Sequence, residues 1–215
     1  MRSNVISITL ILLSTNIINV KSIRTKSKQR KLTSFESNCS FGLDNAVYVS
    51  SQIGHDSATN GHSVEAPYAS IQFAVDHREE CQTIYVMKGV YRNKGYNISD
   101  NNGPVVNLNG VHNLKIINYE NDCVVIEFDG AGGFVGGQLS NPVSNLEISG
   151  MEIIGPNQHI SFEEAYANRL LSLRRYRGRG IAIWGGNHIF IHHMIVHHCP
   201  GSGIRVNNGD YGRIL

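Results

Sequence analysis

Charge is scarce in this chain, and so are proline and large aromatics. Charged residues fill 17% of the 215 positions, Pro occurs five times and Trp once. So low a charge content, with ample aliphatic side chains, excludes a solvated disordered polymer and allows one domain with a sizeable core. Acidic residues are absent from positions 1–31, where 7 of the 19 Lys and Arg lie. The rest of the chain has 12 basic and 17 acidic residues, a net charge of −5 with His neutral. The positive balance therefore belongs to the leader, and composition offers no argument for a nucleic-acid partner. Long hydrophobic runs are missing too. Val5–Leu13 is far shorter than the roughly 20 residues of a membrane span. Gly130–Gly137 is glycine-rich but has no Lys-Ser/Thr after it, so it reads as a loop and not as a phosphate cradle.

Arg2 followed by the short apolar run and then by small or polar residues up to Ser22 has the parts of a secretory signal, assigned to 1–22. Residues 23–45 are a basic leader expected to be disordered; within Lys21–Lys31 there are six basic residues and no acidic one. The folded domain is assigned to 46–215. A secreted chain explains the cysteines Cys39, Cys81, Cys123 and Cys199. Four cysteines allow three pairings, which spacing does not decide. Cys39 and Cys81 each precede an early strand, which favours that pair, and Cys199 falls where a buried free thiol is expected. Asn38-Cys39-Ser40 and Asn97-Ile98-Ser99 are N-glycosylation sequons in an extracellular setting.

Glycine is plentiful, at 22 residues, and so are short β-rich pieces. Gly180-Ile181-Ala182-Ile183 recurs 23 residues later as Gly203-Ile204-Arg205-Val206. A period in the low twenties with turn residues between short strands marks a solenoid of stacked coils. Val106/Leu108, Leu114/Ile116, Val124/Ile126/Phe128, Leu146/Ile148 and Met151/Ile153 alternate with polar neighbours and are closed by Gly, Asn or Asp. Asn113-Leu114, Asn145-Leu146 and Asn187-His188-Ile189 are expected to open equivalent strands, at spacings of 32 and 42 residues. Before the repeats, Ala46–Ser50 reads as a strand, and Pro67 opens an amphipathic helix to about Glu79 with Ile71, Ala74 and Val75 as its stripe. An insertion, 157–179, is expected to be helical over Phe162–Tyr176, with Ala165, Leu170 and Leu173 as contacts. It ends in a basic cluster of Arg169, Arg174, Arg175, Arg177 and Arg179. The fold class read from these features is all-β: a right-handed parallel β-helix with an N-terminal capping helix and a helical insertion. Since a further coil begins near Asp210 and no cap follows, the chain is expected to be the N-terminal part of a longer protein.

Several stretches resemble a known group. Tyr48-Val49-Ser50, Gly54-His55-Asp56, Ala66-Pro67-Tyr68-Ala69-Ser70-Ile71-Gln72, Thr83-Ile84-Tyr85-Val86 and Gly89-Val90-Tyr91 are similar to the N-terminal cap of secreted β-helix proteins of the pectate-lyase-like superfamily. The cap resembles that of family 9 polysaccharide lyases. Gly178 through Val206 resembles a repeat of the same superfamily. The resemblance implies a secreted protein acting on or binding an acidic polysaccharide, with lyase chemistry by β-elimination. It also implies calcium held by several Asp beside a Lys base. Only Asp129 and Asp210 lie in or near the repeat strands, so no cofactor site is assigned from the residues themselves.

Candidate chemistry rests on a few side chains. Alternation that sends Ile204 and Val206 inward sends Arg205 outward, above Ala182, onto a flat sheet face suited to an extended sugar chain. Arg205 is the one catalytic candidate. Arg175, Arg177, Arg179 and Arg205 are the candidate substrate-binding residues, because a guanidinium pairs with a uronate carboxylate through two hydrogen bonds. Trp184 and Tyr211 are candidates for stacking on sugar rings. Glu127 with Asp129, and Glu147 with Glu152, are carboxylate pairs of the kind glycoside hydrolysis uses. His188, His192, His193, His197 and His198 have metal-like spacing on a helix. The flanking Ile and Val place them on strands, which makes them turn and surface residues. The alternatives to a lyase are a non-catalytic glycan-binding or adhesive β-helix protein and an inactive fragment.

Overall fold

The computed structural model describes residues 39–93, 103–168, 170, 174–207, 209–210 and 213–214. Glu36–Leu215 is one compact unit, distinct from Met1–Phe35. The signal peptide, most of the basic leader, Asn38, Asn97, Arg169, Leu173 and Tyr211 lie outside the described residues.

The chain is mostly β. After β1 (Ala46–Val49) comes a six-residue helix, α1 (Ile71–Asp76). Three strands follow, β2 (Gln82–Val86), β3 (Gly89–Tyr91) and β4 (Pro104–Asn107). The pattern then recurs as β5 (His112–Asn118), β6 (Val124–Glu127) and β7 (Gly132–Gly136). It recurs again as β8 (Val143–Ser149), β9 (Glu152–Ile154) and β10 (Arg179–Ile183). The last described strands are β11 (Gly186–His192), β12 (Ile195–His197), β13 (Ile204–Val206), β14 (Gly209–Asp210) and β15 (Arg213–Ile214). The strands form three parallel sheets: β1-β2-β5-β8-β11-β14 with β15 also on β11, β3-β6-β9-β12, and β4-β7-β10-β13. From β2 to β14, consecutive strands thus visit the three sheets in rotation.

In-register parallel pairing places like residues in columns. Val47, Ile84, Ile116, Ile148 and Ile191 are successive partners across the first sheet, none more than 2% exposed. Tyr91, Ile126 and Ile153 form the column of the second sheet, and Val106, Phe134 and Ile181 that of the third. Burial of each such side chain contributes about 1.5–3 kcal/mol, so the columns together hold the sheets on one interior.

A second column is set just before β2 and within the first residues of β5, β8 and β11. Cys81, Asn113, Asn145 and His188 share a left-handed backbone, with φ of 61°, 50°, 51° and 52°. Each precedes a residue of the paired series Gln82, Leu114, Leu146 and Ile189. Asn tolerates this conformation because its short amide makes local hydrogen bonds. The amides also bond along the column: Asn145 Nδ2 donates to Asn113 Oδ1 at 2.7 Å, and Asn113 Nδ2 donates to Glu80 Oε2 at 2.9 Å. Cys81 closes the column through its disulfide to Cys39. The equivalent of Asn145 is therefore His188 and not Asn187, one residue beyond the expected spacing.

Two helices are shorter than their sequence patterns. Residues 67–70 do not join α1, because Asp56 accepts hydrogen bonds from Ala69 N, Ser70 N and Ser70 Oγ at 2.8, 3.0 and 2.8 Å. Held extended at ψ 142°, Ser70 becomes the N-cap. In the insertion, α2 covers only Phe162–Asn168, followed by a single 3-10 turn at Arg174–Tyr176. α2 buries no side chain and Leu170 is exposed, so Leu170 is not the core contact its spacing suggested. Arg179 belongs to β10 and not to the insertion. Among the described residues no helix is long and apolar enough to cross a membrane.

Replacing Asn145 tests the left-handed column. Asn145→Ala should cost about 1–2 kcal/mol from backbone strain and a lost hydrogen bond. Asn145→Gly should cost less, since glycine adopts this φ without strain. Urea unfolding of both variants measures the difference; equal stabilities would show that the column imposes no constraint.

Candidate arginine groove

The outer face of the sheet β4-β7-β10-β13 carries the most distinctive chemistry. The core column Val106, Phe134, Ile181 faces inward, so the alternate residues Asn107, Val135, Ala182 and Arg205 form the outward row. Arg205 is exposed and opposes Ala182 in the register. Its Nε donates to Asn207 Oδ1 at 3.1 Å, which aims the side chain along the face.

Beside this row lies a cavity of about 410 Å³, lined by Asn107, Asn109, Val135, Gln138, Arg174, Arg177, Arg179 and Trp184, with Pro104 and Ala131. Among the described residues no acidic one lines it. Its amides are oriented by the turn after β4: Asn107 Oδ1 accepts from Asn109 N at 3.1 Å, and Asn109 Oδ1 accepts from Gln138 N at 3.2 Å. The Arg179 guanidinium stands 5.8 Å from the centre of the Trp184 ring, within cation–π range. Burial lowers the Arg179 pKa, and the charge of Arg205 lowers it further. Two like charges held this close favour an anion between them.

The four arginines singled out from the sequence take different positions. Arg177 and Arg179 line the groove, Arg205 extends its sheet face, and Arg175 is turned inward. Arg175 Nη1 lies 3.4 Å from Asp129 Oδ2, and Asp129 is only 2% exposed. Burial raises the Asp129 pKa, offset by Arg175 and then by His159.

The carboxylate pairs are separated into ion pairs. Glu127 is bonded to Arg92, and Asp129 to Arg175. Glu147 forms an ion pair with Lys115 at 3.2 Å and meets His192 Nε2 at 3.1 Å. Glu152 meets His197 Nε2 at 2.7 Å. The histidines sit at corners: His193 and His198 have left-handed φ of 52° and 55° and are exposed. His192 Nδ1 contacts His193 Nδ1 at 2.6 Å, and His197 contacts His198 in the same way. Among the described residues no three His, Cys, Asp or Glu side chains converge to hold a metal ion. Calcium by resemblance therefore finds no acidic cluster among these residues.

Sequence reasoning missed the amide side of the groove, Asn107, Asn109 and Gln138, and the anchoring by Asp129. Asn107 and Asn109 flank buried Leu108, a period-two signal that could have found them. The constant separation of 45 residues in both Glu–His pairs was a second available signal.

Comparison with known proteins finds no matching family model, no matching curated protein and no matching solved structure.

The two free thiols should differ in reactivity. Cys123 is exposed, whereas burial pushes the Cys199 thiol up to about 11. At neutral pH a thiol-specific reagent should label Cys123 promptly and Cys199 only after unfolding. Mass mapping of the labelled native protein checks this; equal labelling would contradict the placement of Cys199.

Proposed function

We propose that the three sheets are the faces of a right-handed parallel β-helix, and that its arginine groove binds an extended acidic polysaccharide. The rotation of strands among the sheets supports the β-helix, as does the resemblance to the pectate-lyase-like superfamily. The observation that carries the binding reading is a groove with three arginines, the chain's single tryptophan and, among the described residues, no acidic lining residue. Such a site recognises repeated carboxylates. Guanidinium groups pair with them, the indole meets the apolar face of a sugar ring, and Asn and Gln amides bond to hydroxyls. The net charge of −5 over residues 32–215 makes the groove a local exception to the charge around it. The Cys39–Cys81 disulfide is consistent with a secreted protein.

The proximity of Arg179 and Arg205 favours cleavage as a second reading. One guanidinium would neutralise the uronate carboxylate, which acidifies the adjacent C–H. A base would take that proton; the electron pair would form C=C as the glycosidic C–O bond breaks. This reading assigns Arg205 to the carboxylate, because a protonated guanidinium donates and does not take a proton. The rival is a binder with the same groove and no bond cleavage.

Titration of the intact protein with polygalacturonate, and with a neutral glycan of equal length, tests the proposal. Polygalacturonate should quench Trp184 fluorescence with an affinity that weakens as salt rises. Arg177→Ala/Arg179→Ala should weaken it by about 10–100-fold. Equal affinity for the neutral glycan would overturn the reading. Unsaturated uronide ends made by the wild type, and not by Arg205→Ala, would establish cleavage; intact polymer with retained binding would establish the rival.

A further inference from the structure

Two of the three groove arginines, Arg174 and Arg177, hang from the insertion, whose helix packs lightly. α2 buries nothing, and Phe162 and Leu170 are each 77% exposed. The hydrogen bonds that tie α2 and Leu170 to the turn after them stay within the insertion: Tyr176 Oη donates to Glu164 Oε1 at 3.2 Å, and Arg177 Nη2 donates to Leu170 O at 3.4 Å. The insertion rejoins the sheet at Arg179, whose N donates to Ala131 O at 3.1 Å. Among the described residues between α2 and that point is the 3-10 turn Arg174–Tyr176. Arg174 and Arg177 line the groove, while Arg175, between them, points the other way to Asp129.

Asp129 follows β6 and is nearly inaccessible, at 2% exposure. A carboxylate at that depth is costly unless a cation meets it, and removing one partner of such a pair is strongly destabilising locally. The Arg175 side chain is itself only 17% exposed. This buried pair ties the turn carrying the groove arginines to the sheeted body.

We propose that Asp129 is a positioning residue for the groove. By holding Arg175 it sets Arg174 and Arg177 over the anion site, although Asp129 never touches the ligand. The inference rests on the polysaccharide reading of that groove and adds its regulation.

Regulation arises from protonation. Among the described residues, the charged and titratable groups around Asp129 include Arg175 and Tyr176 from the turn and His159 from the start of the insertion. Glu127, two residues earlier, is held by Arg92 and lies 3.9 Å from His159. As pH falls, Asp129, raised by burial, is neutralised before carboxylates in water are. Once neutral, Asp129 no longer holds Arg175, and affinity falls while uronates and arginines are still charged.

Hydrogen exchange and polygalacturonate binding, both on the full chain, test the anchor. Asp129→Asn should speed exchange of the Arg174–Tyr176 amides and leave the sheet columns protected. It should also lower affinity about tenfold and abolish the acid-side loss of affinity seen in wild type. Arg175→Gln should do the same. The double variant Asp129→Asn/Arg175→Gln restores a neutral hydrogen-bonded pair, so it should recover protection and bind independently of pH in that range. Unchanged exchange in both single variants overturns the anchor. Faster exchange with unchanged affinity overturns its role in binding. If wild type binds no polygalacturonate, the polysaccharide reading falls; the anchor then falls only if exchange is also unchanged.

Discussion

In-register parallel pairing is the constraint on which the rest of this structure depends. Once Ile84, Ile116, Ile148 and Ile191 sit over one another, each intervening loop must return the chain to the same lateral position. Loops differ in length, from the short connection between β10 and β11 to the long insertion between β9 and β10, yet the ladder does not slip. A slip by one residue would turn an aliphatic column outward and a polar one inward, at several kcal/mol per strand. The left-handed residues Cys81, Asn113, Asn145 and His188 belong to the same constraint, because each marks where the chain turns into the first sheet. Stacking also explains why they differ chemically. Asn113 and Asn145 bond to one another, whereas Cys81 is drawn into a disulfide.

The same pairing builds the outward face. A row such as Asn107, Val135, Ala182 and Arg205 is assembled from residues far apart in sequence and made adjacent by register. The small Ala182 beneath Arg205 leaves the face flat there. Charge is then supplied from the side by the insertion and the start of β10. That division separates rigidity from recognition: the sheets supply a surface with little freedom, and a lightly packed arm supplies the cations. The turn of that arm is tied down by the Asp129–Arg175 charge pair. An apolar contact would be insensitive to protonation, whereas Asp129 links the arm to pH.

Legibility in the sequence depended on the range of each interaction. Aliphatic alternation in Leu114/Ile116 and Leu146/Ile148 is local, and each of these residues is buried as the alternation required. Helix ends were less legible, because a distant residue decides them. Asp56 ends the extended run at Ser70 from 14 residues away, and nothing near Pro67 signals it. The Arg cluster was visible as a cluster, but which way each member points was not. Arg175 and Arg177 are two residues apart and face opposite environments, because the buried carboxylate that selects Arg175 comes from the other side of the insertion.

The sequence by itself determined the β-rich class, the 23-residue correspondence of β10 with β13, and the outward direction of Arg205. These depend on periodicity, which each short segment carries alone. Tertiary structure alone decided which cysteines pair, which carboxylates face cations, and which arginines share a groove. Each of those is a meeting between residues tens of positions apart, and its outcome is set by register and burial, which no local pattern encodes.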